Sequence, residues 1–270
     1  MLGALIAGAG PAGSTVALLL ARAGKAVCIY ERSAFPRTKA CGEYLSPGSV
    51  RLLHELGVAA RLAPHARRIC GVRLHGHGVH ARIDFPQPGW SLPRAVLDDV
   101  LLRAALQAGA HVVQARAEDC ADRDDRATIA IRFPDGSVGS AHAHAIVGAD
   151  GMHSLVARKC GFASSPRRPA RFALGGHYAG FAHLDDYIDM FVDGSTYAAI
   201  NPLTDTTANV MLIVSERELE AHRSDVEAFA QERAAGLAGS VLAGARAEHK
   251  RIAIGPLAYR ARRLAGKHAL

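Results

Sequence analysis

Three glycines near the amino terminus are spaced for anion chemistry. Gly8, Gly10 and Gly13 fall in Gly8-Ala9-Gly10-Pro11-Ala12-Gly13, a G-x-G-x-x-G run between an apolar stretch (2–7) and an Ala- and Leu-rich stretch (11–23). Between a strand and a helix, Gly8 permits the tight turn. Gly10, with no side chain, lets a pyrophosphate approach the backbone, and Gly13 lets helix and strand pack closely. The free N–H groups of the helix start then face the anion. Pro11 suits the first helical turn, where a missing N–H costs nothing. Glu31 closes a second apolar run (26–30), eighteen positions after Gly13, where an acid accepts hydrogen bonds from a ribose diol. Strand, helix, strand and terminal acid in this order predict a site for an ADP-bearing dinucleotide. They do not choose between a nicotinamide and a flavin.

The elements that must position this bend read clearly. A strand over 2–7, a helix over 11–23 stopped by Gly24 and a strand over 26–30 give a βαβ start. Ser46 and Pro47 open a short helix that runs to Leu56. Residues 69–84 predict a hairpin around His75-Gly76-His77-Gly78. A helix over 94–108 presents Val96, Leu97, Val100, Leu101 and Ala104 on one face. Strands follow at 111–115, 127–133 and 139–147, with Pro134-Asp135-Gly136-Ser137 as a turn and 145–151 as a strand entering a glycine turn. The Arg- and Pro-rich stretch 165–172 reads as a linker, 172–214 as alternating strands and turns, and 216–236 as one helix.

Composition narrows the partners. The net charge is +7, but its arginines are scattered and no run of five like charges occurs, so no nucleic-acid partner is expected. Arg167, Arg168 and Arg171 form the densest basic cluster and read as a solvated loop. The five cysteines, Cys28, Cys41, Cys70, Cys120 and Cys160, show no C-x-x-C pair, and the first strand begins at Leu2 without a leader pattern. A cytoplasmic setting is expected on these grounds. No apolar run reaches the 18 residues of a membrane span, which leaves peripheral membrane contact open. No histidine or cysteine spacing predicts a metal site.

Four segments carry a resemblance to a known family. "GAGPAGSTVALLLARAGKAVCIYER" (8–32), "FPRTKACGEYLSP" (35–47), "LPRAVLDDVLLRAALQAGA" (92–110) and "IVGADGMHSLVAR" (146–158) follow one another as in the single-Rossmann FAD-dependent oxidoreductases. The chain resembles in particular their geranylgeranyl-reductase-like branch, through K-x-C-G-E. The resemblance implies an α/β fold: a glutathione-reductase-type FAD-binding domain with a second, mainly antiparallel β domain for substrate. The expected division is 1–68 with 92–166 and 250–270 for FAD, and 69–91 with 167–249 for substrate.

Residue by residue, the resemblance implies that Gly8, Gly10, Pro11, Ala12 and Gly13 hold the FAD pyrophosphate. Glu31 would hold the adenosine ribose, with Arg32 beside the ADP part. Arg94 would reach the phosphate region, and Asp150 and Gly151 would contact FAD. Lys39, Cys41 and Gly42 would lie along the flavin, Cys41 being either a packing residue or a reactive thiol. His177, Tyr178 and Tyr197 are either cavity-lining or structural. Ser154-Leu155-Val156-Ala157-Arg158 carries its arginine one place later than the family pattern, and Trp90, the one Trp, stands away from the halogenase signature. Ala199 and Asn201 replace two aromatics of the reductase branch. "LAGKHAL" (264–270) resembles the approach to a strand that in the family runs into a second Gly-Asp motif, which this chain lacks, as a fragment, a truncated product or a protein completed by a partner would.

The implied activity is an FAD-dependent oxidation or reduction of a hydrophobic or aromatic small molecule, with NAD(P)H as a transient reductant. Hydroxylation and reduction both stay open, and no catalytic residue is named. The competing readings are an ADP- or FAD-binding remnant without activity, or dependent on a partner, and a plain NAD-dependent dehydrogenase.

Overall fold

The computed structural model describes residues 2–123, 125–163, 170–257 and 261–270. They belong to two compact units, Met1–Arg37 with Ala95–Arg167 and Tyr259–Leu270, and Thr38–Arg94 with Arg168–Ala258. The chain alternates between them. The first unit begins with β1 (Leu2–Ala7), α1 (Pro11–Arg22) and β2 (Val27–Glu31). The second takes up β3 (Tyr44–Leu45), α2 (Pro47–Glu55), α3 (Ala59–Leu62), β4 (Arg67–Gly76) and β5 (Val79–Ser91). After the first residue of α4 (Arg94–Gln107) the chain is in the first unit again, with β6 (His111–Gln114), β7 (Arg116–Asp122), β8 (Ala127–Arg132), β9 (Val138–Gly148) and α5 (Leu155–Lys159). The second unit is completed by β10 (Arg171–Ala179), β11 (Tyr187–Asp193), β12 (Thr196–Pro202), β13 (Thr207–Ser215), α6 (Glu216–Ala221), α7 (Val226–Leu242), β14 (Arg246–Ala247) and β15 (Ile252–Ile254).

The first unit's sheet has the order β6-β2-β1-β9-β8-β7. β6, β2, β1 and β9 run parallel, and β8 and β7 extend the sheet antiparallel. All five residues of β2 are buried, as the unbroken apolar run of a central parallel strand requires. Leu5, Ile129, Ile146, Val156 and Phe162 share its core. β8 pairs with β9 only as far as Ala143. Beyond it, residues 268–270 lie against β9: Ile146 N–H donates to His268 O at 2.7 Å, and Gly148 N–H to Leu270 O at 2.8 Å. The "LAGKHAL" segment thus reaches the sheet at the strand that carries the Asp150 turn.

The second unit's sheet has the order β14-β10-β13-β12-β11-β4-β5-β3, with β15 also on β10. Only the β4–β11 pairing is parallel. α7 covers one face: Phe229 and Ala230 pack on Leu174, Ala198, Leu212 and Val214. Between β4 and β5 the two-residue turn His77-Gly78 has φ 50° and 74°, the conformation that matches the twist of a tight hairpin.

Several expectations need correction. Residues 38–68 and 92–94, expected with the FAD-binding part, group with the second unit, because β3 and α2 pack on β5. Residues 250–258 join it too, through β15 on β10. β7 was not expected; its sequence, Arg-Ala-Glu-Asp-Cys-Ala-Asp, is mostly polar and buries only Cys120. The helix expected over 216–236 is two, α6 and α7, because Asp225 restarts it by accepting the Ala228 N–H at 2.9 Å. In α4, Asp98 is fully buried while Val96 and Val100 are only half-buried. The linker expected at 165–172 has Arg171 and Phe172 in β10, and its 165–169, with Arg167 and Arg168, lie outside the described residues. No helix among the described residues is long and apolar enough to cross a membrane.

Candidate cofactor site

β1 ends at Ala7, and the chain turns sharply at Gly8, whose φ is 97°. A side chain there would meet the Ala149 carbonyl oxygen at 2.5 Å. At Gly13, in the first turn of α1, an added Cβ would overlap the Gly8 carbonyl oxygen and touch the Ala149 side chain at 3.1 Å. These glycines therefore let three pieces of backbone close together: the bend, the helix and the 148–151 turn. Ala149 N–H donates to Ala7 O at 2.9 Å, which ties the second glycine turn to the end of β1.

Gly10 differs from its neighbours. It is the N-cap of α1, and no side chain caps the helix. A Cβ at Gly10 would meet only the Arg37 Nη2, at 3.5 Å. The space in front of the helix start is therefore open except for one guanidinium. Unpartnered first-turn N–H groups with a cation beside them suit a diphosphate.

Glu31 stands beside the bend. One oxygen, Oε2, accepts the Ala9 N–H at 2.8 Å, and Oε1 accepts the Ser33 N–H at 2.9 Å and Arg37 Nη1 at 3.1 Å. The residue is 4% exposed. A carboxylate offers about four lone-pair positions, and three are taken, which leaves one for a ligand hydroxyl. Arg37 also lies 3.7 Å from the buried Asp98 and stacks on Phe35. Its place at the bend was legible only in the family segment "FPR", and Asp98 carried no signal beyond an acid inside an apolar helix face.

Asp150 closes the site from the other turn. Its Oδ2 accepts the Leu155 N–H at 2.6 Å, so it helps cap α5, while its Oδ1 is buried and has no partner among the described residues. Gly151 has φ 87°. An open glycine bend, one spare carboxylate position on Glu31 and the orphaned Asp150 oxygen fit a bound dinucleotide. Arg32 is exposed and makes no ion pair among the described residues. Arg158, one place late, turns back onto the His153 carbonyl.

Lys39, Cys41, Gly42 and Arg94 belong to the second unit. Lys39 and Cys41 are half-buried, and the Cys41 sulfur accepts the Glu43 N–H at 3.4 Å. Glu43, missed in the sequence reading, organises this segment. Its carboxylate accepts the Arg94 backbone N–H at 2.8 Å, His177 Nε2 at 2.7 Å and Asn209 Nδ2 at 3.2 Å. Gly42 O accepts Asn201 Nδ2 at 2.8 Å. The Glu43 hydrogen bond raises the pKa of His177 against the opposing effect of burial. Tyr178 is a core residue whose hydroxyl takes Arg251, and Tyr197 packs against Ala173, Met211 and Ile213.

A single βαβ bend with an acid on its second strand, backed by a glycine-bearing Asp turn, defines a dinucleotide-binding protein. The chain belongs to the FAD binding domain family, which it matches over residues 1–261. Of the two cofactors that share an ADP half, the family's is FAD. The menaquinone reductase of Mycobacterium tuberculosis is 36% identical over 164 residues, covering 58% of this chain and 39% of that protein. Digeranylgeranylglycerophospholipid reductase 1 of Methanothermobacter thermautotrophicus is 28% identical over 228 residues, covering 80% of this chain and 57% of that one. The chain thus spans about two fifths to three fifths of these relatives' lengths. The flavin-dependent brominase Bmp2 shares the fold, with a TM-score of 0.87 at 19% identity over all of this chain and 70% of that one.

Proposed function

We propose that the chain is the FAD-holding part of an oxidoreductase that reduces a hydrophobic, quinone- or prenyl-type small molecule, with NAD(P)H as the transient electron donor. The open Gly10 position, with Glu31 locked to the bend at 2.8 Å, carries this reading. Relatives named for reducing menaquinone and a geranylgeranyl lipid support reduction, and hydroxylation stays the alternative, since a relative named as a 3-amino-4-hydroxybenzoate 2-monooxygenase is 34% identical over 162 residues. Once bound, FAD supplies the hydride-transfer chemistry. The chain's own residues hold and orient it: the start of α1 and Arg37 at the diphosphate, Glu31 at the ribose and Asp150 behind them.

Gly10→Ala tests the assignment. The added methyl meets only a guanidinium end at ordinary contact distance, so the fold is kept at a cost of about 1 kcal/mol for Ala at an N-cap, while the space a phosphate needs is filled. The wild-type chain mixed with FAD should show the protein-perturbed visible band of flavin, and G10A should stay folded with a slightly lower melting temperature and lose that band. A wild-type chain that takes up no FAD, or G10A binding it as tightly, would sink the proposal. Bleaching of the bound flavin by NADH or NADPH under argon reads the electron donor.

A further inference from the structure

The β4–β5 hairpin carries a pair of histidines for which the cofactor site has no use. His75 and His80 stand directly opposite each other, one residue pair away from the His77-Gly78 turn. Opposed residues on paired strands project to the same side of the sheet. The two rings meet nitrogen to nitrogen, with Nδ1 of His75 2.9 Å from Nδ1 of His80. No spacing in the sequence announces this pair, because the register of the hairpin brings it together.

The His75 ring is fixed from two sides. Asp189, on the neighbouring β11, takes its other nitrogen, Nε2, at 2.7 Å. Asp189 is 10% exposed in its side chain and is itself gripped by Arg73, Nε to Oδ1 at 2.9 Å and Nη2 to Oδ2 at 3.0 Å. Asp185 holds the same guanidinium through both of its oxygens, at 2.7 and 2.9 Å. Phe191, opposite His75 on β11, stacks on the imidazole with 4.5 Å between centroids and 12° between planes. An ionised carboxylate only accepts, so a neutral His75 carries its hydrogen on Nε2 and presents a lone pair at Nδ1. His80 is exposed and can offer this lone pair either a hydrogen or a lone pair of its own. In the second case both lone pairs serve one cation.

We propose that His75 and His80 are the protein ligands of a divalent late transition ion that takes its ligands at right angles, Ni(II) or Cu(II). Two nitrogens bound at right angles, about 2.0–2.1 Å from one ion, stand about 2.9 Å apart, whereas a tetrahedral ion separates them by about 3.3 Å. The 2.9 Å between the two Nδ1 atoms matches the right angle and disfavours Zn(II). The carboxylate behind His75 is the partner that orients a metal-bound imidazole and raises its basicity. No group of three or more metal-binding side chains converges among the described residues, so water fills the other positions. Binding moves the His80 hydrogen from Nδ1 to Nε2 and releases no proton. The ion ties β4 to β5 beside their turn, and the site stands independently of the FAD reading.

The test uses the whole chain and Ni(II) alone, which does not oxidise the five cysteine thiols. In 15N-histidine spectra, less than one equivalent of Ni(II) should broaden the His75 and His80 resonances before those of the other histidines. His80→Asn removes an exposed ligand, so it should keep the wild-type melting temperature and bind Ni(II) at least tenfold more weakly. Asp189→Asn keeps both ligands and should weaken binding about tenfold. Zn(II) should bind the wild type more weakly than Ni(II) does, and FAD uptake should be the same in H80N as in the wild type. Equal Ni(II) affinity of the wild type and H80N, broadening that falls first on other histidines, or Zn(II) binding as tightly as Ni(II) would overturn the proposal. The pair would then be an N–H···N hydrogen bond across the hairpin and nothing more.

Discussion

The Glu31 carboxylate accepts the backbone N–H of Ala9 at 2.8 Å, so the acid that ends β2 is fastened to the middle of the glycine bend. The acid is thus structural before any ligand arrives. It satisfies a buried N–H of the bend and pairs with Arg37, whose side chain is 16% exposed. Glu31→Ala would leave the Ala9 N–H without its acceptor and Arg37 with only the longer contact to Asp98. The variant should lose about 3 kcal/mol of stability, the cost of breaking a buried pair from one side, as well as its FAD. Glu31→Gln keeps one acceptor oxygen and should fold with a smaller loss, yet bind FAD more weakly. Urea melts beside flavin uptake check both. Equal stability of E31A and wild type would mean that the bend holds itself.

Gly13→Ala should behave unlike Gly10→Ala. Its methyl would overlap the Gly8 carbonyl oxygen, which is backbone and cannot swing away. Either α1 moves off β1 or the bend opens, so both stability and FAD uptake should fall together. Circular dichroism melts with and without FAD separate the two variants. G13A melting like the wild type would show that the helix has room to shift.

The bend, Glu31 and the Asp150 turn were legible because local chemistry dictates them: positive φ, close backbone approach and a strand-end acid are short-range demands. The hairpin was legible for the same reason, since His77-Gly78 is a two-residue turn signal. Arg37 was legible only through the family segment that holds it, and Glu43 was not, because its partners lie far along the chain. Glu43 reaches His177 and Asn209 across separations of 134 and 166 residues, and no spacing rule spans such gaps. The division into units escaped for a related reason. β3 is two residues long and belongs to the second sheet only through β5, a pairing without a sequence pattern. β7 escaped because its polar alternation hides one buried thiol.

That thiol gives a chemical test. Burial, with Cys160 adding to it, pushes the Cys120 pKa up to about 12, and Cys28 is raised by burial as well. The thiolate is the reacting form, so neither should react near pH 8 in the folded chain. Iodoacetamide followed by peptide mapping should find Cys28 and Cys120 unmodified in the native protein and all five cysteines modified in urea. Early labelling of Cys120 under native conditions would show that β7 opens readily.

The Glu43–His177 pair predicts a pH-dependent stability with a definite sign. The folded-state pKa of His177 is raised above its unfolded value of about 6.5, chiefly by the Glu43 hydrogen bond. The unfolded chain therefore gives up that proton at lower pH than the folded chain does. The charge contribution is fully present below the unfolded pKa and is lost as pH rises through the folded one. Above that value a neutral His177 can still donate from Nε2, so a smaller, pH-independent part remains. The melting temperature of the wild type should exceed that of His177→Gln most near pH 6, and the gap should narrow through neutrality to a plateau. Glu43→Gln should lose the same pH-dependent part, and the double variant should lose no more of it than either single one, because the two residues share one interaction. A gap that is flat from pH 6 to 9 would mean that His177 is held neutral and serves Glu43 as an uncharged N–H donor beside Asn209 and the Arg94 N–H.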